Sequence, residues 1–570
     1  MNNYFDKNIL EANQRVLTKT NPELNIYLSN LDWKNKKNQY TFLESKNGEI
    51  IPVYSQSEGN SKPLHSTVDP IREAQRLIST ITNNMENDTG FIVFLGLGGG
   101  FLPQEALDHT HAQVLVIDFC FDGIADLFSA KDYSCLFNNE RFALLADPSN
   151  DDIKNFILEH YKPSLHGGIK TIPLRTRTEF DLSLFNSAAD TIQEAIEIVS
   201  SDYSVQAHFG KRWFSNIIRN LTLVNTAQQN SIMEKIISHA DEAAIVAAGP
   251  SLNKQLDVLN EYKSRKVFII SSDTALPVLL YRGIEPDAVV SIDCQHISYY
   301  HFIGLKLRNI PLILDIASPP LLSSLTTSAC FFSSGHPLAL YISQNWKEIN
   351  RLDTSGGNVT YACLSFAEFI GAKRITLFGA DFSYVNSESY ARGTYIFPYF
   401  EKKQNRFSPS EALFSSFLYR SPFIPAENGE NKKYHETSSL RFYRNKLEEK
   451  AKKMTTQITA VKGQGAPIDL SCNTAESRFV SSKSVPSQKK EKMNGTDFLE
   501  QYRTSIAALP SVKDTENYLQ SLNTENRQIF TTLLPYAAAL NYRNPLLKTK
   551  DLIEETKLRC VNEIGRVLNV

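Results

Sequence analysis

Short apolar runs alternate with stretches of helical spacing along most of this chain. Phe91–Leu95 and Val114–Ile117 are runs of buried-strand type, and a helical stretch lies between them. Further on come Ala244–Ala247, Val267–Ile270, Ala288–Ser291, Leu312–Leu314, Ala329–Phe332 and Ile375–Phe378, with helical spacing between most of them. This alternation predicts an α/β fold: a central, doubly wound, mostly parallel Rossmann-like sheet, preceded by a second α/β domain. Before both, Ile9, Leu10 and Val16 have helical spacing. Tyr40–Leu43 and Glu49–Tyr54 read as strands joined by an Asn47-Gly48 turn. Residues 205–240 read as one or two helices, with Trp213, Ile217, Leu221 and Val224 as a core stripe beneath the next domain. Residues 471–495 are rich in Ser and Lys and read as a linker. From Asp497 on, Tyr502, Ile506 and Leu509 begin a small helical domain. The expected domains are therefore 1–60, 65–200, 205–470 and 496–570, with the linker before the last.

Composition narrows the function classes. The chain has 570 residues, 42% of them hydrophobic and 21% charged, with 60 Lys and Arg against 62 Asp and Glu. That near-neutral balance does not predict a general nucleic-acid or membrane-surface binder. No apolar run is long enough for a membrane span, and Met1–Lys7 lacks the layout of a signal peptide. The seven cysteines form no Cys-x-x-Cys pair, so neither a zinc site nor a disulfide framework is expected. A reducing cytoplasm is the expected location.

The candidate chemistry sits just after predicted strands. Gly96–Gly100 follows the first run of its domain, and Asp118 ends the second. That arrangement fits a nucleotide loop with a ribose-binding acid, or a tightly packed turn of a Rossmann-like scaffold. In the central region, Gly249-Pro250-Ser251 joins a strand to a helix. Ser251 there can cap the helix or bind phosphate. Asp273 and Asp293 end the next two strands; Asp287 reads equally as a turn acid. Ser355, Gly356, Gly357 and Asn358 form a glycine- and hydroxyl-rich turn before a helix, and Asp381, Tyr384, Tyr390 and Tyr395 follow the last apolar run. Several such turns at one sheet edge converge on a polar ligand cradle.

Together, Gly249–Leu252, Asp273–Leu276, Pro286-Asp287 with Ser291–Asp293, and Gly379–Phe382 resemble the central domain of motility-associated factor (Maf) flagellin glycosyltransferases. That domain is shared with 6-hydroxymethylpterin pyrophosphokinase-like proteins, and here it covers about residues 241–470. The same stretch resembles small bacterial sialyltransferases. That likeness implies a CMP site at Gly249, Pro250 and Ser251, joined by Thr354-Ser355-Gly356. It implies that Tyr384 and Tyr390 stabilise the departing phosphate and that His435, before the helical stretch Ser438–Lys452, is the general base. This chain has Asp273 where those enzymes carry asparagine.

The family likeness implies transfer of a nonulosonic acid of pseudaminic, legionaminic or sialic type from a CMP-sugar to a flagellin hydroxyl. No cofactor is expected. Such a sugar leaves through an oxocarbenium-like transition state while charge builds on the phosphate, so hydroxyl donors should face it. A neutral histidine can take the acceptor proton, with Asp381 or Asp293 as substitutes. His435 is expected to stand across the sugar from Tyr384 and Tyr390, and the C-terminal helices to help recognise the protein acceptor. One rival is an ATP-dependent pterin pyrophosphokinase, which would need magnesium, with Asp273 and Asp293 as candidate ligands. Another is a non-catalytic flagellin-binding factor. A methyltransferase built on Gly96–Gly100 and Asp118 is a third.

Overall fold

The computed structural model describes residues 5–55, 61–83, 89–224, 226–237, 241–307, 309–347, 349–427, 433–470, 494–512 and 518–569. The predicted linker lies almost wholly outside these residues. Two compact units are present. The first holds Met1–His208, Pro510–Arg527 and Leu534–Thr556; the second holds Phe209–Leu509, Gln528–Leu533 and Lys557–Val570.

The first unit opens with an antiparallel sheet of β1 (Tyr40–Glu44), β2 (Ile50–Ser55) and β3 (Ser61–Pro63). A four-stranded parallel sheet follows: β4 (Phe91–Leu95), β5 (Gln113–Asp118), β6 (Phe142–Ala146) and β7 (Ile169–Pro173), in the order β6-β5-β4-β7. All five residues of β4 are buried, as both faces of its sheet are covered. Leu10, Leu17, Tyr40 and Phe42 share one core with Ile92 and Phe94.

The glycine loop after β4 is packed by its own unit. A Cβ added to Gly98 would lie 2.5 Å from His65 Nε2 and 2.6 Å from Leu174 Cδ2, and the Gly99 N–H donates to His65 Nε2 at 2.9 Å. Asp118 is buried. It accepts from Leu97 N at 2.7 Å and pairs with the equally buried Arg177 at 2.9 Å. Of the two readings open for this motif, the packed turn is the one seen. Asp118 is thus held by its own unit, accepting also from Phe119 N at 2.8 Å.

The second unit carries a seven-stranded, all-parallel sheet. Its strands are β8 (Glu242–Val246), β9 (Phe268–Ser272), β10 (Ala288–Ser291), β11 (Leu312–Asp315), β12 (Ala329–Phe332) and β13 (Arg374–Phe378), followed after a small sheet by a seventh. The small antiparallel sheet is β14 (Tyr384–Val385), β15 (Phe423–Glu427) and β16 (Lys433–Thr437), and the seventh large strand is β17 (Gln457–Ala460). The large sheet runs β12-β11-β10-β9-β8-β13-β17. The chain starts at β8, winds outward one way to β12, then returns to the other side of β8 as β13. The topological switch point is therefore between β8 and β13, where open α/β sheets bind ligands beyond their carboxyl ends.

At the carboxyl edge of the sheet, Asn216 and Asn220 stand about one helical turn apart on the helix Leu182–Leu221. The Asn216 amide donates to the carbonyls of Cys294 and Ala317, and that of Asn220 to those of Ile316 and Ser318. These bonds pin the loops leaving β10 and β11. The helix Gly495–Ala507 also belongs to this unit. Its Phe498 stacks on Trp346 at 5.5 Å, and Tyr502 packs on Tyr341 at 5.5 Å. These residues thus do not stand apart from the sheet domain.

Candidate functional site

At the switch point the loops after β8 and β13 run against each other. Gly249 N–H donates to the Gly379 carbonyl at 2.8 Å. A Cβ on Gly249 would lie 2.4 Å from both that oxygen and Asp381 Oδ2, so only glycine permits this approach. Asp381 is buried and accepts from Ser251 N at 2.8 Å and Ser251 Oγ at 2.5 Å. Ser251 Oγ in turn accepts from Gln464 N at 2.9 Å. Burial pushes the Asp381 carboxyl up, and the Ser251 bonds oppose that shift. The Ser251 hydroxyl makes no cap bond to its own helix.

Above this knot lies a cavity of about 420 Å³. Its floor is Ala247–Gly249 after β8, Ser272 and Thr274 at the end of β9, and Gly379–Ser383 after β13. Asn358–Thr360 join from the start of the helix Val359–Phe369, which Asn358 caps by accepting from Tyr361 N at 3.0 Å. Tyr384, Tyr390 and Arg420 form a second wall, and Thr437, Ser439 and Tyr443 a third. Thr437 caps the helix Ser438–Lys453, accepting from Leu440 N at 3.1 Å. Burial pushes the Tyr390 phenol up, so it stays a donor at neutral pH. Arg420 lies over the Phe417 ring, 4.0 Å from its centroid, and its charge opposes the shift of Tyr390.

Gly249, Asn358, Asp381, Tyr384 and Tyr390 therefore face one cavity. The remaining candidates lie beside or behind it. Pro250 lines a separate groove. Ser355 is tied downward, its N–H donating to Asp353 Oδ1 at 3.0 Å, while Tyr361 donates to Asp353 Oδ2 at 2.7 Å. Burial raises the Asp353 carboxyl, but these bonds and Lys450 outweigh it and leave it at about 2. Gly356 and Gly357 belong to that anchored turn and are not among the lining residues. Asp273 is buried behind β9 and β10; Oδ2 accepts from Ser291 Oγ at 2.7 Å and Oδ1 from Thr274 N at 2.7 Å. Asp293 accepts from Gln295 N at 2.9 Å, and its carboxyl is raised by burial, with the Asp273 charge adding to the effect.

His435 is the register partner of Tyr384 in the antiparallel pair β14–β16. Cross-strand partners project from the same face of a sheet. His435 and Tyr384 are therefore neighbours on one face of that small sheet, with Tyr384 lining the cavity and His435 not among its lining residues. Arg420, Ser439 and Tyr443 were not singled out from the sequence. Ser439 and Tyr443, four apart on one helix, carried a spacing signal; Arg420 carried none.

The solved structure of a Maf glycosyltransferase from Magnetospirillum magneticum AMB-1 superposes on 99% of this chain and 95% of its own, with a TM-score of 0.55 at 14% identity. The chain has a Maf fold. Residues 215–387 match the family model "6-hydroxymethylpterin diphosphokinase MptE-like". A protein of Treponema pallidum (strain Nichols), described only as uncharacterized, is 33% identical over 173 residues, which are 30% of this chain and 80% of that protein. This chain and that protein belong to one family. A second Treponema match is 44% identical over 95 residues, 34% of its own length. The MptE-like segment of this Maf-fold chain spans β8 to β14 and so supplies the cavity floor. Among the described residues no helix is long and apolar enough to cross a membrane.

Proposed function

We propose that this chain is a glycosyltransferase that moves a nonulosonic acid from a CMP-sugar to a protein hydroxyl, flagellin being the acceptor that the Maf resemblance implies. The observation that carries the reading is the cavity lining at the switch point. Neutral hydroxyl donors and the Arg420 guanidinium surround it, and its one lining carboxylate, Asp381, is already bonded to Ser251. Such a lining suits an anion. Tyr384, Tyr390 and Arg420 would meet the charge that builds on the departing phosphate. His435, beside Tyr384, is the candidate base for the acceptor hydroxyl. The likeness to a Maf glycosyltransferase over nearly the whole chain supports the same assignment at the level of fold.

The MptE-like match favours a second reading, diphosphate transfer from ATP to a pterin alcohol. That chemistry would draw on magnesium held by Asp273 and Asp293. The residues fit it poorly. Both Asp273 oxygens already accept hydrogen bonds, Oδ1 from Thr274 N and Oδ2 from Ser291 Oγ, so this carboxylate serves the fold before it could serve a metal. A thermal-shift screen of CMP, ATP and hydroxymethylpterin, each with and without magnesium, separates the two. The transferase reading expects stabilisation by CMP alone. Stabilisation only by ATP with magnesium would reverse the choice.

A further inference from the structure

The cavity has a neighbour in the same unit. A groove of about 1120 Å³ lies on the other side of the turn after β8 and of β14. Consecutive residues divide between the two spaces. Gly249, Tyr384 and Ser389 line the cavity, while Pro250, Val385 and Glu388 line the groove. The wall between them is one residue thick, so whatever lies in the groove lies next to the proposed donor site.

The groove has a definite charge character. Lys254, Arg282, Lys306 and Arg392 line it against Glu285 and Glu388. Arg392 is bonded to Glu388 at 3.1 Å, and Lys254 donates to Gln464 at 3.1 Å. Arg282 and Lys306 are exposed, and neither side chain makes an ion pair or hydrogen bond among the described residues. Apolar surface stands beside these cations: Tyr281 is 86% exposed and Ile303 48%. Exposed aromatic and aliphatic side chains next to unmatched cations are the makings of a polypeptide-binding surface rather than of a buried small-molecule pocket.

We propose that this groove holds the acceptor as an extended, acidic polypeptide segment, with carboxylates on Arg282 and Lys306, an apolar side chain against Tyr281 or Ile303, and the hydroxyl to be glycosylated at the wall. The word acceptor rests on the transferase reading; the binding does not. The test uses the full-length chain and three fluorescein-labelled probes: a serine peptide carrying Glu and Leu, its counterpart with Lys for Glu, and an acidic polysaccharide. Anisotropy gives the affinities of the native chain and of the Arg282→Glu, Lys306→Glu double variant, and CMP affinity is measured alongside. The Glu peptide should bind in preference to the Lys peptide, weaken with added salt, and lose roughly tenfold or more in the double variant while CMP affinity and melting temperature hold. Equal binding of both peptides, unchanged affinity in the variant, or preference for the polysaccharide would overturn the proposal. Glu-peptide binding without any CMP binding would leave the groove standing and remove the transferase reading instead.

Discussion

Replacing Ser251 by alanine should weaken the second unit by breaking the knot under the cavity. The Ser251 hydroxyl donates to Asp381 at 2.5 Å and accepts from Gln464 N at 2.9 Å, so one oxygen serves two partners. A hydrogen bond to a charged group contributes about 1.5–3 kcal/mol, and the half-buried Gln464 N–H, which water can partly reach, adds at most about 1 kcal/mol, for a total of about 1.5–4 kcal/mol. Asp381 keeps the Ser251 N–H at 2.8 Å. With one donor fewer, a carboxyl already raised by burial should rise further. A carboxyl raised in the folded state contributes stability at low pH, which is lost as pH rises through its folded value. The variant should therefore be less penalised under acid than at neutral pH. Urea unfolding of native and variant chains, followed by tryptophan fluorescence at about pH 5 and about pH 7.5, measures both effects. A change under about 0.5 kcal/mol at neutral pH would refute the account of the knot. So would a large loss of CMP affinity with stability intact, since that would put the hydroxyl on the phosphate rather than on Asp381.

Three further outcomes are expected. Arg420→Ala should lower CMP affinity roughly tenfold to a hundredfold, with Arg420→Lys restoring part of it and added salt shrinking the difference; calorimetric titration that finds equal affinities would remove Arg420 from the phosphate. Arg177→Met leaves the buried Asp118 without its ion partner, and should cost the first unit about 3–5 kcal/mol while leaving CMP binding unchanged; a melting temperature equal to the native one would contradict that burial. His166 is buried, with its pKa lowered to about 4 by burial first and by Lys162 and His160 next. A lowered histidine contributes stability above its unfolded value that is lost as pH falls towards the folded one, here up to about 3 kcal/mol between about pH 6.5 and pH 4. His166→Gln should flatten that limb of a pH–stability curve, and an unchanged slope would count against it.

The large sheet was legible because β8 to β13 are apolar runs buried on both faces, a pattern that survives without knowledge of their partners. β17 was not. Of its four residues only Ile458 is buried, as suits the edge of a sheet, and an edge strand leaves no continuous apolar run. The β14–β16 sheet was equally hidden, since β14 has two residues and β15 carries Pro425. The turns of the site could be found from glycine and hydroxyl spacing. What each residue does there depends on partners far along the chain: Ser251 with Asp381, Asp273 with Ser291, Asp118 with Arg177. Those pairings turn apparent ligand-binding groups into supports, and no local pattern reports them. Arg420 was missed for the same reason, as it follows an ordinary helix and meets the cavity only through tertiary packing.

The most direct test of the transferase account is release of CMP from a CMP-nonulosonate by the purified chain, with flagellin present and absent, and the mass of the flagellin read at the same time. The account predicts CMP release coupled to a gain of one or more nonulosonate masses on flagellin, both abolished or strongly reduced in a Tyr384→Phe, Arg420→Ala variant that remains folded. No CMP release from any nonulosonate donor, together with magnesium-dependent formation of AMP from ATP and hydroxymethylpterin, would contradict it.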